Sequence, residues 1–319
     1  MIINVSMISH TVAHSQYSSL VLTVATDKQT YYPKENVTIY GNLTQDETLV
    51  PDGLVAIQVK DSKDETLVIR TTTTGTPPPG TPYVKVRSVV PCDSIGMPKD
   101  SFKRNDLAWF NLTVTNYDIE PRPVLITVNI YDSSNTPRGY DRTLIPAMVG
   151  QTTSSAILCV AIPEDATLGN ATAYGNAYTD WPSLAGWPYC TEKSAPFNIT
   201  DGGSSQSTTT TTPQVNGNYN ITFQLAARAK AGNYTIYVSS RYWGVETFNN
   251  TKFKVELWGD FDGDGDIDGL DTIAYCRAYA NYWLTGEYNP LADFDGDGDI
   301  DGLDTIAYCR AYVFYWAGF

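Results

Sequence analysis

Charge is scarce in this chain and histidine is nearly absent. Charged residues make up 18% of its 319 positions, and the two histidines, His10 and His14, both stand near the N-terminus. Their i, i+4 spacing would suit a metal only on a helix, which Thr11 and Val12 disfavour. No Gly-x-Ser-x-Gly elbow, phosphate loop or assignable pair of catalytic acids occurs, so no enzymatic activity is expected. Clustered Lys and Arg are missing as well. An isoelectric point near 4.4 argues against a nucleic-acid partner, which needs cations along its phosphates.

No stretch approaches the ~20 apolar residues of a transmembrane helix, so no membrane span is expected. The opening MIINVSMISH lacks the basic flank and long apolar run of a signal peptide. The expectation is a mature, exported chain whose leader has been removed, placed outside the cell at its surface.

What the chain has in quantity is Thr, Ser, Asn, Gly, Val and Tyr, the composition of many short strands joined by polar turns. Nine of its 19 asparagines stand in Asn-x-Ser/Thr acceptors: Asn4, Asn36, Asn42, Asn111, Asn170, Asn198, Asn220, Asn233 and Asn249. The Ser and Thr content alone predicts about three or four, which points to N-linked glycans. In NVTIY, NLTV, NITFQL and NYTIYV the Asn and Thr share one face of an alternating strand, and the apolar residues fill the other.

Two stretches without apolar residues, TTTTGTPPPGTP at 71–82 and DGGSSQSTTTTTPQ at 201–214, read as exposed linkers. Four strand candidates precede the first (20–26, 36–43, 54–60, 66–72). After the second come four more (218–225, 233–240, 243–248, 251–257). Each set alone is close to the size at which a core is hard to assemble. The expected architecture is mainly β. Residues 19–74 and 215–257 make one discontinuous sandwich, and residues 83–200 are a second sandwich inserted through linkers 75–82 and 201–214. Two undersized domains in series are the other arrangement. The outer segments, with TDKQTYYPKENVTIYGNL, VAIQVKD and AKAGNYTIYVSS, resemble macroglobulin-like and other immunoglobulin-like modules of prokaryotic surface proteins. The insert resembles immunoglobulin-like adhesion domains of archaeal and bacterial surfaces. Such sandwiches host many functions, so the resemblance supplies a fold and no activity.

The five cysteines suit an oxidising compartment. A Cys92–Cys190 bridge across neighbouring strand ends is expected, a Cys276–Cys309 bridge near an internal pseudo-twofold is possible, and Cys159 is expected reduced in the core.

The most specific feature lies at 258–319. DFDGDGDIDGLDTIAYCRAY at 260–279 recurs without a change at 293–312, an offset of 33 residues. Each copy offers oxygens at positions one, three, five, seven, nine and twelve of a loop, with Gly265 or Gly298 at the sharp turn of position six. That is the donor set of a calcium loop. Asp260, Asp262, Asp264 and Asp271 are expected to coordinate by side chain, Asp266 by its carbonyl, and Asp268 directly or through water. Asp293, Asp295, Asp297, Asp304, Asp299 and Asp301 repeat these roles, for two calcium ions in all. Ile267 and Ile300, with Leu270, Ile273, Cys276 and Ala280 at helical spacing, are expected to form the shared core.

With Asp at position twelve and a strand before the first loop, this module resembles a dockerin: loop, exiting helix, spacer, loop, helix. The resemblance implies docking on a cohesin-like protein through the residues near Gly269–Leu270 and Gly302–Leu303 and through Arg277 and Arg310. The Ser-Thr recognition pair of familiar dockerins is missing. Residues 1–18, with Ile3, Val5 and Met7 alternating, form an arm suited to strand donation. The leading expectation is therefore a glycosylated, calcium-binding extracellular structural protein that polymerises head to tail into a surface filament. The alternative is a monomeric adhesin or anchoring module bound to a cohesin-like partner.

Overall fold

The computed structural model describes residues 19–201, 217–294 and 297–317, so the N-terminal arm, with Asn4, and most of the second linker lie outside the described residues. The chain is mainly β, with a small helical region at its C-terminal end.

The first strands are β1 (Leu20–Leu22), β2 (Ala25–Thr26), β3 (Thr30–Tyr31), β4 (Asn36–Gln45), β5 (Thr48–Leu49), β6 (Leu54–Lys60) and β7 (Thr66–Thr73). Then come β8 (Val84–Cys92), β9 (Ser101–Lys103), β10 (Leu107–Asn116), β11 (Arg122–Tyr131), β12 (Pro137–Met148), β13 (Thr153–Ala161), β14 (Gly169–Tyr178) and β15 (Lys193–Thr200). The last are β16 (Asn218–Gln224), β17 (Gly232–Tyr242) and β18 (Val245–Val255), before helices α1 (Gly269–Thr285) and α2 (Gly302–Ala317).

Four sheets result. In the first, β4 pairs with β1, β2, β5 and the sequence-distant β16. The second runs β3-β18-β17-β6-β7, so early and late strands share it too. The third runs β12-β11-β14-β15-β9, and the fourth β13-β10-β8. Strands before and after the 84–200 segment are thus neighbours in space, each completing sheets that the other leaves short. β18 is continuous where sequence spacing predicts two strands, because Val245–Val255 pairs along its whole length with β17.

Three apolar cores separate the four sheets. Val37, Ile39, Phe223, Ile57, Val59, Ile236 and Phe253 fill the space between the first and second. Alternation on β10 sends Ala108, Phe110, Leu112 and Val114 inward against Val124, Ile126, Val128 and Ile130 of β11, the core between the third and fourth. The middle core is Ala56, Ile69, Leu125 and Tyr178. It explains why β6 and β11 are buried on both faces, where an ordinary two-layer sandwich leaves one face wet.

Polar bonds fasten the same middle interface. Arg70 on β7 forks onto Glu192, with Nε–Oε2 2.9 Å and Nη2–Oε1 2.6 Å, and its guanidinium lies 3.3 Å from the Tyr174 ring centroid. Asn129 Oδ1 accepts from the Ile69 amide at 3.1 Å, and Gln58 Oε1 from the Ser183 amide at 2.9 Å.

Neither expected bridge is formed: all five cysteines are free thiols, Cys159 among them as expected. Cys190 accepts from the Val86 amide near the start of β8, whereas Cys92 ends that strand. Six residues of strand set the two about 20 Å apart, far beyond disulfide reach. Cys276 and Cys309 are exposed, because their neighbours Tyr275 and Tyr308 occupy the helix contact and one residue along a helix turns the side chain by ~100°. Cys159 is half-buried and not in the core, since Leu158 and Val160 take the inward positions of β13.

Candidate metal centre

The chain leaves β18 through buried Leu257 and reaches the first acidic loop at Asp260. Trp258 links loop and sheets, its ring 5.2 Å from Tyr32 and 5.9 Å from Phe294. Gly265 and Gly298 have φ of +99° and +94°, a left-handed turn that disfavours any side chain at position six of each loop.

Within the first loop, carboxylate oxygens gather in two groups, each with all members within 4.8 Å of one another: Asp260, Asp262, Asp264, and Asp266, Asp268, Asp271. The second loop gathers Asp299, Asp301 and Asp304 in the same way. Asp295 lies outside the described residues.

The position-twelve aspartates do structural work that their sequence position does not announce. Asp271 and Asp304 are fully buried. Asp271 Oδ1 accepts from the Phe261 amide and Oδ2 from the Asp268 amide, both at 2.6 Å, which ties the start of the loop to the start of α1. Asp268 Oδ1 accepts from the Leu270 amide, completing a reciprocal cap on the helix. Asp304 repeats this on Phe294 and Asp301, at 2.6 and 2.7 Å.

Electrostatics strain the rest of the loop. Burial raises the pKa of Asp260, with Asp271 and Asp264 adding repulsion against the amides of Gly263 and Gly265 that bind its carboxylate. Asp266 is raised as well, by burial and by four surrounding carboxylates, and its Oδ1 is closed off from solvent with no hydrogen-bond partner. A hard cation among these carboxylates would neutralise the repulsion. The donor set, all oxygen, fits calcium.

The loops are cross-braced. Trp316, at the end of the second repeat, donates its indole N–H to the Ile267 carbonyl of the first loop at 2.7 Å, and Trp283 reciprocates onto Ile300 at 3.0 Å. Tyr275 and Tyr308 stack with centroids 4.5 Å apart, Thr272 pairs with Tyr308, and Tyr275 with Thr305. The module core is this aromatic set with Ala278, Ala292, Phe294 and Ile300.

Ile267 and Ile300 are buried as expected, but Leu270 is 58% exposed and Ile273 49%, and Cys276 and Ala280 face solvent too. The helical stripe read as core is the outer face. Tyr275 and Tyr308, which take its place, were not among the residues expected in the core. The tryptophans were missed although Trp283 and Trp316 keep the 33-residue offset beyond the identical segment.

Of the acceptor asparagines, Asn36, Asn220 and Asn233 are exposed, and Asn42, Asn111, Asn170, Asn198 and Asn249 are half-buried. Asn170 and Asn198 face each other across β14 and β15. The Asn249 amide nitrogen, the atom a glycan would modify, donates to the Leu22 carbonyl at 2.8 Å.

No family model matches the sequence, and no curated protein does either. Among solved structures, the chain is similar to the C-terminal domain of Wzt at 13% identity and TM-score 0.31, covering 41% of this chain and 86% of that one. The alkylpurine DNA glycosylase AlkC of Pseudomonas fluorescens gives 10% identity and TM-score 0.27, covering 38% of this chain and 31% of that one. A β-glucosidase of Listeria innocua gives 7% identity and TM-score 0.25, covering 44% of this chain and 18% of that one. The chain therefore spans under a third of the length of the two enzymes.

Proposed function

We propose that this chain is a calcium-binding structural protein of the extracellular surface, built on immunoglobulin-like sandwiches and a dockerin-like C-terminal module, and that it assembles head to tail into a filament. The observation that supports calcium is the gathering of carboxylate oxygens within each acidic loop, Asp260, Asp262, Asp264 and Asp266, Asp268, Asp271 in the first and Asp299, Asp301, Asp304 in the second. The nine glycan acceptors support an exported location, and the tight join between the sheet pairs supports a stiff building block. Each ion would be held by the aspartates of one loop, and binding would be coupled to ordering of the module.

Calorimetric titration of the chelated protein should give two calcium ions per chain. Asp271→Ala and Asp304→Ala should each remove one. Electron microscopy with calcium and after chelation tests assembly: filaments support the polymer, and dispersed monomers in both conditions sink it.

A second reading has its own support. The exposed apolar residues Leu270, Ile273, Leu303 and Ile306 lie beside Arg277 and Arg310 on the outer face of the two helices. That face suits a cohesin-like partner, and a stable 1:1 complex with one, in a chain that never self-associates, would favour the anchoring module.

A further inference from the structure

The fourth sheet ends in an edge whose own residues carry none of the usual blocks. β13 pairs with β10 on one side and with no strand on the other among the described residues. Its sequence, TSSAILCVA, has no charge and no proline, the usual means of blocking an edge. The Cys159 amide donates away from β10, to Asp141 Oδ2 at 2.8 Å, so Thr153, Ser155 and Ile157, in the same phase, turn their N–H and C=O groups outward as well.

Beside this edge runs β12, which ends the opposing sheet among the described residues. The two touch where a Cβ on Gly139 would meet Val160 at 2.6 Å, but no ladder joins them. Core residues Ile145 and Ala156 are only partly covered along the seam, with Leu144 49% and Ile157 40% exposed beside them.

Resting on the strand-addition reading above, we propose that this seam is the seat of residues 2–8 of a second copy, added as a strand to β13. IINVSMI matches the edge in lacking charge and in its β-forming residues, and seven residues suit a nine-residue strand. The 18-residue arm, at ~3.3 Å per residue, reaches up to ~60 Å. It joins the chain at β1, in the first sheet, whereas β13 lies in the fourth, beyond three cores of ~10 Å each. The arm's reach covers that distance, and the head-to-tail reading assigns the seam to the arm of a neighbouring copy instead of the chain's own. One arm and one seam per chain give a heterologous contact that propagates.

Ser155→Pro in the full chain tests this. Its N–H faces away from β10, so proline there blocks an added strand without removing a ladder bond. An unchanged melting temperature certifies the fold, and Ser155→Thr is the control. Filaments from parent and S155T but only monomers from S155P support the assignment. Filaments from S155P overturn it and leave the polymer reading standing. In a mixture of size-tagged chains, one carrying Ser6→Cys and the other Ser155→Cys, a disulfide between chains supports the second copy. A bond formed only within chains carrying both substitutions overturns it in favour of the chain's own arm.

Discussion

The free thiols differ enough in setting to be told apart by chemistry. Burial pushes the Cys190 thiol up to about 11, and it raises Cys92 and Cys159 too, with Asp93 and Asp141 adding to the respective shifts. Only the thiolate is a nucleophile, so alkylation of the native protein at pH 8 should modify exposed Cys276 and Cys309 first and Cys190 last. Peptide mass spectrometry over a time course reads the order, and early labelling of Cys190 would contradict its burial. Among the carboxylates, burial works to raise Asp61, but the Lys230 ammonium at 2.7 Å and the amides of Glu65 and Lys63 outweigh it and hold the group below its ordinary range. A depressed pKa adds stability that is present above the unfolded value of ~3.9 and disappears as pH falls through the folded one. Lys230→Met should therefore cost on the order of 1 kcal/mol near neutrality, and less as acid protonates Asp61 in both proteins. Denaturant melts at pH 7 and pH 3 measure the difference.

Among the elements, the join between second and third sheets and the braces between loops carry the most consequence. Glu192→Gln would leave Arg70 under the rings of Tyr131 and Tyr174 without its counter-charge, at a cost of about 3 kcal/mol read by thermal or denaturant unfolding. In the loops, Trp316→Phe removes a donor to the first loop and Trp283→Phe one to the second. Each should weaken the proposed calcium binding at the other repeat's loop by roughly 3- to 10-fold, for about 1 kcal/mol per lost hydrogen bond. Site-resolved titration, with the opposite loop disabled by its position-twelve substitution, reads the crossed effect. The strands were readable because alternation in segments such as NVTIYGNL and LAWFNLTV directly records one wet and one buried face. The join was not, because Arg70, Gln58, Asn129 and Glu192 are ordinary surface residues until a partner sheet covers them. Likewise the repeat announced the acidic loops, while the side of the helix facing inward depended on Tyr275 and Tyr308 stacking, which an apolar count passes over.

For the whole molecule, the proposed calcium sites predict that chelation acts on the C-terminal module and spares the sheets. Chelation is expected to reduce the helical far-ultraviolet signal of α1 and α2 and leave the strand signal in place; loss of both together would mean that the sheets depend on the metal. No helix among the described residues is long and apolar enough to cross a membrane. The pairing of β4 with β16 and of β6 with β17 has a mechanical consequence. Tension entering at Ser19 and leaving beyond Val255 passes only through the first two sheets, since both points are attached to strands of those sheets. Residues 84–200 lie beside that load path, fastened to it by Arg70, Asn129, Gln58 and the middle core. A pulled chain would stress its spine while the side branch stays slack, keeping its shape for whatever it touches.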